Sequence, residues 1–481
     1  MVNSLFTIHH FTNQKTSFTT MKRSSKKNTR RTFIKQNLLT GAGAMLGVHS
    51  VSSLLAGEPS KGMDMPAMPL TGQQQPQWTK WPQWDIAADE PPVVEVLRSG
   101  VWSRAKVVEQ FEAAWAKTIG AKACVTTVNG TNAMICALAN LDIGGGDEVI
   151  IPPYTFIATP QAVLQTGAMP VFVDTDPETF QMDISKIEAK ITPRTRAILP
   201  VHIAGIPCDI EGIIRIAKKH NLVVVEDACQ AWLSEVNHKK VGTFGNAGCF
   251  SFQNSKNIPM GEGGAIVSDD EQLIDRCYSY HNFGIAHGSM VAKHGAGMSM
   301  LGTKLRLTEY QAAIGLAQLK RLEAQTTIRA NNAAYLKSGL EAIPGIIPYK
   351  LYDHVTRVSF HFFPFRYKKE AFKGLPRAAF LKALSAEGVP CTSGYTTLNN
   401  QPFLASAFGS KNFKKMYSPK MLDINTYRQR NHCPQNDILC NEEAVWFLQN
   451  ILLGSRSDMD YIVAAIEKIH KNAEALKKAL G

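Results

Sequence analysis

Acidic residues are missing from the first 57 positions of this 481-residue chain. Lys15, Lys22, Arg23, Lys26, Lys27, Arg30, Arg31 and Lys35 stand there without counter-charge, so only four of the twelve net positive charges belong to the remainder. Beyond them no basic patch interleaved with aromatics occurs, which argues against nucleic acid as a partner. The nine cysteines (Cys124, Cys136, Cys208, Cys229, Cys249, Cys277, Cys391, Cys433, Cys440) form no CxxC pair. That excludes a zinc-ribbon pattern, and their odd number and loose spacing exclude a compact disulfide framework. They read as small packed hydrophobes, suited to folding in a reducing cytoplasm. No metal site is expected.

What the extension does contain is an address. "TRRTFIKQ" (Thr29 to Gln36) precedes a Gly/Ala-rich apolar stretch ending near Gly57, which reads as a twin-arginine export signal over residues 1–57. A membrane anchor is the other reading, although His49 and the Gly and Ser residues make a poor span. No clean A-x-A triplet marks a cleavage site, and the long leader before the arginines points to Met21 as a start. Residues 58–80 lack periodicity and read as a linker.

With 44% hydrophobic and 19% charged residues, the rest is able to bury large cores. From residue 104 onward, short β-rich runs such as "DEVIIP", "NLVVVED" and "GGAIVSD" alternate with helical stretches such as "DIEGIIRIAKKH". This predicts an α/β domain over residues 81–340, with an N-terminal arm and a mostly parallel central sheet, whose ligands gather at the carboxyl ends of strands. A long helix spans Leu307 to Leu340; after it, residues 341–481 read as a smaller α+β domain closed by an amphipathic helix from Met459.

Chemistry-bearing residues fall at the strand ends. "FSFQNSKNIPMGEGG" sets Lys256 between a strand and a glycine-rich turn. In "VNGTNAM", Gly130 and Thr131 open a helix, which suits a phosphate held by backbone N–H groups or, equally, a tight turn with an N-cap threonine. Asp227 ends an apolar strand, either as a helix N-cap or as a carboxylate that meets a cation. A lysine with an ordinary pKa is a free amine in only about one molecule in 2,500 at neutral pH, so a catalytic lysine needs a lowered pKa or storage as an imine. Pyridoxal phosphate demands such a lysine, a carboxylate at its pyridine nitrogen, a phosphate cup and something flat against its ring. Each demand has a candidate in this one domain.

The segments "NGTNAM", "GGGDEVIIPPYTFIATPQAV", "GAMPVFVDTDPETF", "ITPRTRAILPVHIAGIPCDI", "VVEDACQA", "GCFSFQNSKNIPMGEGGAIVSDD" and "RLTEYQAAIGLAQL" resemble, in order and spacing, the DegT/StrS sugar aminotransferases, which are pyridoxal-phosphate enzymes of fold type I. The resemblance implies that Lys256 forms the Schiff base and moves the proton, and that Asp227 keeps the pyridine nitrogen protonated. It also implies that Gln230 meets the ring hydroxyl side, Phe156 stacks on the ring, and Ser251 joins Gly130 and Thr131 on the phosphate. Where many relatives read Gly-x-Asn-x-Arg, this chain has "GTKLR"; Lys304 takes the asparagine position, expected at the neighbouring subunit's phosphate, and Arg306 anchors the donor or the phosphate. A homodimer with active sites at the interface follows.

Dehydratases of the family carry histidine in place of the lysine, so Lys256 favours transamination from L-glutamine or L-glutamate to a ketone. "EGVPCTSGYTTLNNQPFL" and "CPQNDILCNEEAVWFLQNILLG" resemble the inosose aminotransferases, which aminate keto-cyclitols; a nucleotide-linked keto-sugar is the competing acceptor. His361 and Tyr395 are candidates to line that pocket. A cofactor-binding sensor that keeps the fold without turnover, and a sugar-binding protein without cofactor, are the alternatives from other classes.

Overall fold

The computed structural model of the chain describes residues 75–480. The segment read as an export signal lies outside the described residues, as does the linker up to residue 74.

Seven strands make the central sheet, in the order β1-β9-β8-β5-β4-β2-β3. They are β1 (Ala123–Thr127), β2 (Glu148–Ile151), β3 (Met169–Phe172), β4 (Thr195–Ile198), β5 (Val223–Asp227), β8 (Ala247–Ser251) and β9 (Gly264–Ser268). Strand β9 alone runs antiparallel to its neighbours. Every residue of β2, β3, β8 and β9 is buried, because helices cover both faces; the strands therefore read as unbroken apolar runs rather than alternating ones. On one face Met134 and Val163, from the helices Gly130–Asn140 and Ala158–Gln165, pack against Val225 and Phe172. On the other, Phe111 and Trp115 of Lys106–Ile119 meet Phe250 and Phe252, with ring centroids 5.2 Å apart in edge-to-face contacts.

The long helix runs from Glu309 to Glu341, opened by a capping box between Thr308 and Gln311. The buried Glu309 carboxylate accepts the N–H groups of Ala105, Val107 and Val108 at 2.7, 2.9 and 2.9 Å, so it serves the start of Lys106–Ile119.

A second sheet, antiparallel, orders β10 (Ile346–Pro348), β12 (Phe362–Tyr367) and β13 (Ala444–Leu448), and packs Phe363, Phe365 and Phe447 against Phe380, Ile462 and Ile466. Residues between these strands divide their loyalty. Leu404, Phe408, Phe413 and Tyr427 join the core of the large sheet, where the Tyr427 hydroxyl donates to Pro170 O at 2.6 Å.

Two details depart from expectation. A small sheet of β6 (Glu235–Val236), β7 (Lys239–Lys240) and β11 (Val355–Arg357) forms where no strand is expected. The closing helix is two, Arg456–Lys471 and Ala473–Leu480, because the Asn472 side chain donates to Lys468 O at 2.8 Å and ends the first. The nine cysteines are all free thiols; Cys124, Cys229 and Cys391 are partly buried and the rest buried.

Candidate active site

The loops leaving β1, β2, β4, β5 and β8 meet at the carboxyl ends of these parallel strands, where doubly wound sheets hold their ligands. Lys256 stands on the loop after β8. That loop is closed at its base, with Met260 N–H bonded to Phe252 O and Asn254 N–H to Gly261 O, both at 2.8 Å. At its tip, Lys256 N–H donates to Gln253 O at 2.8 Å, and Trp81 of the N-terminal arm donates its indole N–H to Lys256 O at 3.2 Å. The backbone of this lysine is thus fixed from both sides.

Burial pushes the Lys256 ammonium below its ordinary pKa, while Cys229 and Asp227 pull it upward. Burial also drives the Cys229 thiol well above its usual range. Lys256 Nζ lies 3.4 Å from His361 Nε2 and 6.0 Å from the centroid of the Trp232 ring.

Asp227 ends β5 at 4% exposure. Its Oδ2 accepts the Thr159 hydroxyl at 2.9 Å, which is itself 2.9 Å from the Thr155 hydroxyl, and Oδ1 accepts Cys229 N–H at 3.1 Å. No helix begins there, so the helix-cap reading of Asp227 does not hold. Two neutral hydrogen bonds leave a buried carboxylate without a hydrogen-bonded cation, the situation that a protonated ring nitrogen relieves.

Gly130 opens its helix in van der Waals contact with the end of β8. A Cβ there would stand 2.6 Å from Cys229 Sγ and 2.9 Å from Ser251 Cβ, so only glycine lets this helix start approach Ser251. The cap is Asn129, whose side chain accepts Asn132 N–H at 2.9 Å, and not Thr131; Thr131 is left at the helix mouth, partly buried. The N–H groups at the helix start and the Ser251 hydroxyl so come close together, donors of the kind that hold a phosphate. Phe156 is 54% exposed, which removes it from the core and leaves its ring face free.

Gln230 is held at both ends: its Oε1 accepts Ala204 N–H at 2.9 Å and its Nε2 donates to the Tyr395 hydroxyl at 2.8 Å. Tyr395 packs edge-on to Tyr154 and Trp446, and burial lifts its hydroxyl far above the usual range. His361 is buried at 2% exposure, with its pKa well below the ordinary value through burial first, then Lys256 and Arg329.

The structure therefore brings Lys256, Asp227, Gly130, Ser251, Gln230, His361 and Tyr395 to one edge of the sheet, with Thr131 in the first turn of its helix and Phe156 on a loop there. Lys304 does not join them; it is exposed, its backbone bridged to Asn282. Arg306 is partly buried, and its Nε is buried without a partner. Thr159, Asn257, Trp232 and Trp81 touch the cluster but escape sequence reading. Thr159 lies three residues past Phe156, a helical spacing that could have flagged it; the others meet the site through contacts 102 to 175 residues distant in sequence, or through ring packing, and leave no local signal.

A fixed lysine with a depressed pKa, a buried carboxylate on the adjoining strand end, phosphate-binding donors at a helix start and an exposed aromatic ring are what a pyridoxal-phosphate-dependent aminotransferase needs. The sequence profile of the DegT/DnrJ/EryC1/StrS aminotransferase family matches residues 85–429, and the chain belongs to that family. It is 31% identical over 417 residues to the L-glutamine:2-deoxy-scyllo-inosose aminotransferase of Streptoalloteichus tenebrarius, covering 83% of this chain and 96% of that one. To the GDP-perosamine synthase of Escherichia coli O157:H7 it is 41% identical over 243 residues, 50% of this chain and 65% of the other. Among solved structures, 3-amino-5-hydroxybenzoic acid synthase superposes with a TM-score of 0.71 at 29% identity, over 84% of this chain and all of that one. An aminotransferase from Psychrobacter cryohalolentis does so with a TM-score of 0.71 at 30% identity, over 82% of this chain and 100% of its own.

Proposed function

We propose that the enzyme moves the amino group of L-glutamine or L-glutamate to a keto-cyclitol or keto-sugar. The observation that carries this reading is the placement of Lys256, its amine held below the ordinary range, beside the buried Asp227 carboxylate. When bound, pyridoxal phosphate supplies an aldehyde that takes up amines and a ring that accepts electron density. Lys256 would hold the cofactor through its Nζ, and that same amine, when free, would take up and give back a proton. Asp227, steadied by Thr159, would meet the pyridine nitrogen and keep it protonated. The N–H groups of Gly130 and Thr131 and the Ser251 hydroxyl would bind the phosphate, Phe156 would cover one ring face, and Gln230 would meet the ring hydroxyl.

Tyr395 and His361 border the space in front of Lys256 and meet the acceptor; Arg306 anchors the donor carboxylate or the phosphate. Lys304, exposed in one chain, reaches the cofactor phosphate of a second copy in a homodimer. Support for a cyclitol acceptor comes from the inosose aminotransferase, which matches along nearly its whole length; a nucleotide-linked keto-sugar is the second reading, favoured by the higher identity to GDP-perosamine synthase. Export of the folded enzyme by a twin-arginine route favours a free ketone over a nucleotide-linked one, and recovery of the mature protein only from the cytosol would remove that support.

The test is a two-stage assay: incubation of purified enzyme with L-glutamine or L-glutamate, then with 2-deoxy-scyllo-inosose or a nucleotide-linked 4-keto-hexose, following amine formation by mass spectrometry. Amination of the cyclitol supports the reading, amination of the nucleotide sugar alone moves it to the second, and no amination of either refutes both.

A further inference from the structure

His361 is set against Lys256 by an uncommon amount of scaffolding. The preceding Phe360 lies in the left-handed region with φ 49°, a conformation that is strained for a bulky residue and persists only where its surroundings impose it. The surroundings are visible. Gly205 has φ +83°, and a Cβ on it would stand 2.9 Å from the N atoms of both Phe360 and His361, so this glycine admits the turn. His361 N–H donates to Ala204 O at 2.8 Å, and the Trp232 ring meets the imidazole edge-on at 5.6 Å.

Asn257, next to the lysine in sequence, closes the arrangement. Its amide nitrogen donates to Ser359 O at 3.0 Å and to Phe360 O at 3.3 Å. Two carbonyl acceptors fix which end of the amide is nitrogen, so Oδ1 is the end that faces His361 Nδ1, 3.4 Å away. An amide oxygen opposite Nδ1 selects the tautomer with the proton on Nδ1. The Nε2 lone pair is then aimed at Lys256 Nζ, 3.4 Å away.

We infer that Asn257 and His361 form a positioning relay for Lys256, in which Asn257 sets the imidazole tautomer and Nε2 of His361 accepts a hydrogen bond from the lysine amine whenever that amine is free of cofactor. The relay parks the amine in one orientation between the two halves of the reaction and favours its protonated form by one hydrogen bond. His361 stays neutral in this role because burial and the nearby Lys256 and Arg329 disfavour its charge. The other groups that bear on Lys256 are Asp227 and Cys229. The inference rests on Lys256 being the reactive lysine of the proposed function, and it gives His361 a duty toward the enzyme's own lysine.

The test uses cofactor-free protein. Acetic anhydride labels the Lys256 amine at a rate that follows its deprotonated fraction, and peptide mass spectrometry yields the midpoint as pH is varied. His361→Leu is expected to lower that midpoint by about one unit, the size of one lost hydrogen bond to a charged group. Asn257→Ala, which removes the acceptor that keeps the proton on Nδ1, should lower it too, because the Nε2–H tautomer then offers the lysine no acceptor. His361→Gln, whose amide oxygen restores an acceptor, should return the midpoint toward that of the wild type. An unchanged midpoint in His361→Leu overturns the relay; if that variant does not fold, an unchanged midpoint in Asn257→Ala does so. Failure of the wild type to aminate any ketone leaves these midpoints readable, so the relay and the proposed reaction fail separately.

Discussion

Replacement of Gly130 by alanine tests the tightest junction in the site. The new Cβ would lie 2.6 Å from Cys229 Sγ, 2.9 Å from Ser251 Cβ and 3.3 Å from Phe250 O. Ordinary contacts of this kind span about 3.5–4 Å, so roughly an ångström of overlap must be absorbed. Rotation cannot remove it, because Ser251 Cβ and Phe250 O move only with strand β8. Overpacking in such a place costs about 1–3 kcal/mol. For a chain of this size that lowers the melting temperature of the cofactor-free protein by about 1–3 °C. Separation of the helix start from Ser251 also removes at least one charge-assisted hydrogen bond to the phosphate, about 1.5–3 kcal/mol, or roughly tenfold to hundredfold in affinity for pyridoxal phosphate. Thermal melts and absorbance titration with the cofactor read the two effects, with Gly409→Ala as the control, since a Cβ at Gly409 meets nothing within 4 Å. Wild-type melting and wild-type affinity in Gly130→Ala would refute both the close approach and the location of the phosphate cup.

Thr159→Val deletes the hydroxyl 2.9 Å from Asp227 Oδ2 with little change of volume, and steady-state kinetics should show kcat reduced about tenfold or more while the protein folds normally. Lys304→Ala, at an exposed position, should leave the melting temperature unchanged yet weaken cofactor binding at low salt, the mark of a charge delivered across a dimer interface. Acid stability depends on His281, which burial holds down to about 4 from an ordinary 6.5. Its unfolded form binds a proton that the folded form refuses, so stability is lost as pH falls from about 6.5 toward 4, by roughly 3 kcal/mol in all. Urea denaturation should show this slope in the wild type and a shallower one in His281→Gln.

The large sheet was legible because strands buried on both faces must be apolar throughout, and "NLVVVED" or "GGAIVSD" admits few other readings. Strands β6 and β7 were not, since two residues each, among them Glu235, Lys239 and Lys240, carry neither period nor hydrophobicity. The packing of Phe408 and Tyr427 onto the large sheet was also hidden; an amphipathic helix declares that it has a partner without declaring which. In the site, Lys256 and Asp227 stood out because a buried charge at a strand end demands a reason. Asn257 and Trp81 stayed silent, as an asparagine and a tryptophan are ordinary in any loop and take meaning only from His361 and from the Lys256 carbonyl that folding brings to them.

The visible spectrum of the purified protein, before and after L-glutamine or L-glutamate and compared with Lys256→Ala, tests the central claim most directly. The account predicts a cofactor band in the wild type that disappears with the amino donor and returns with a keto acceptor, and a band that is lost or altered in the variant. A wild-type protein that shows no band after addition of pyridoxal phosphate, or a Lys256→Ala protein with a spectrum and response like the wild type, would contradict it.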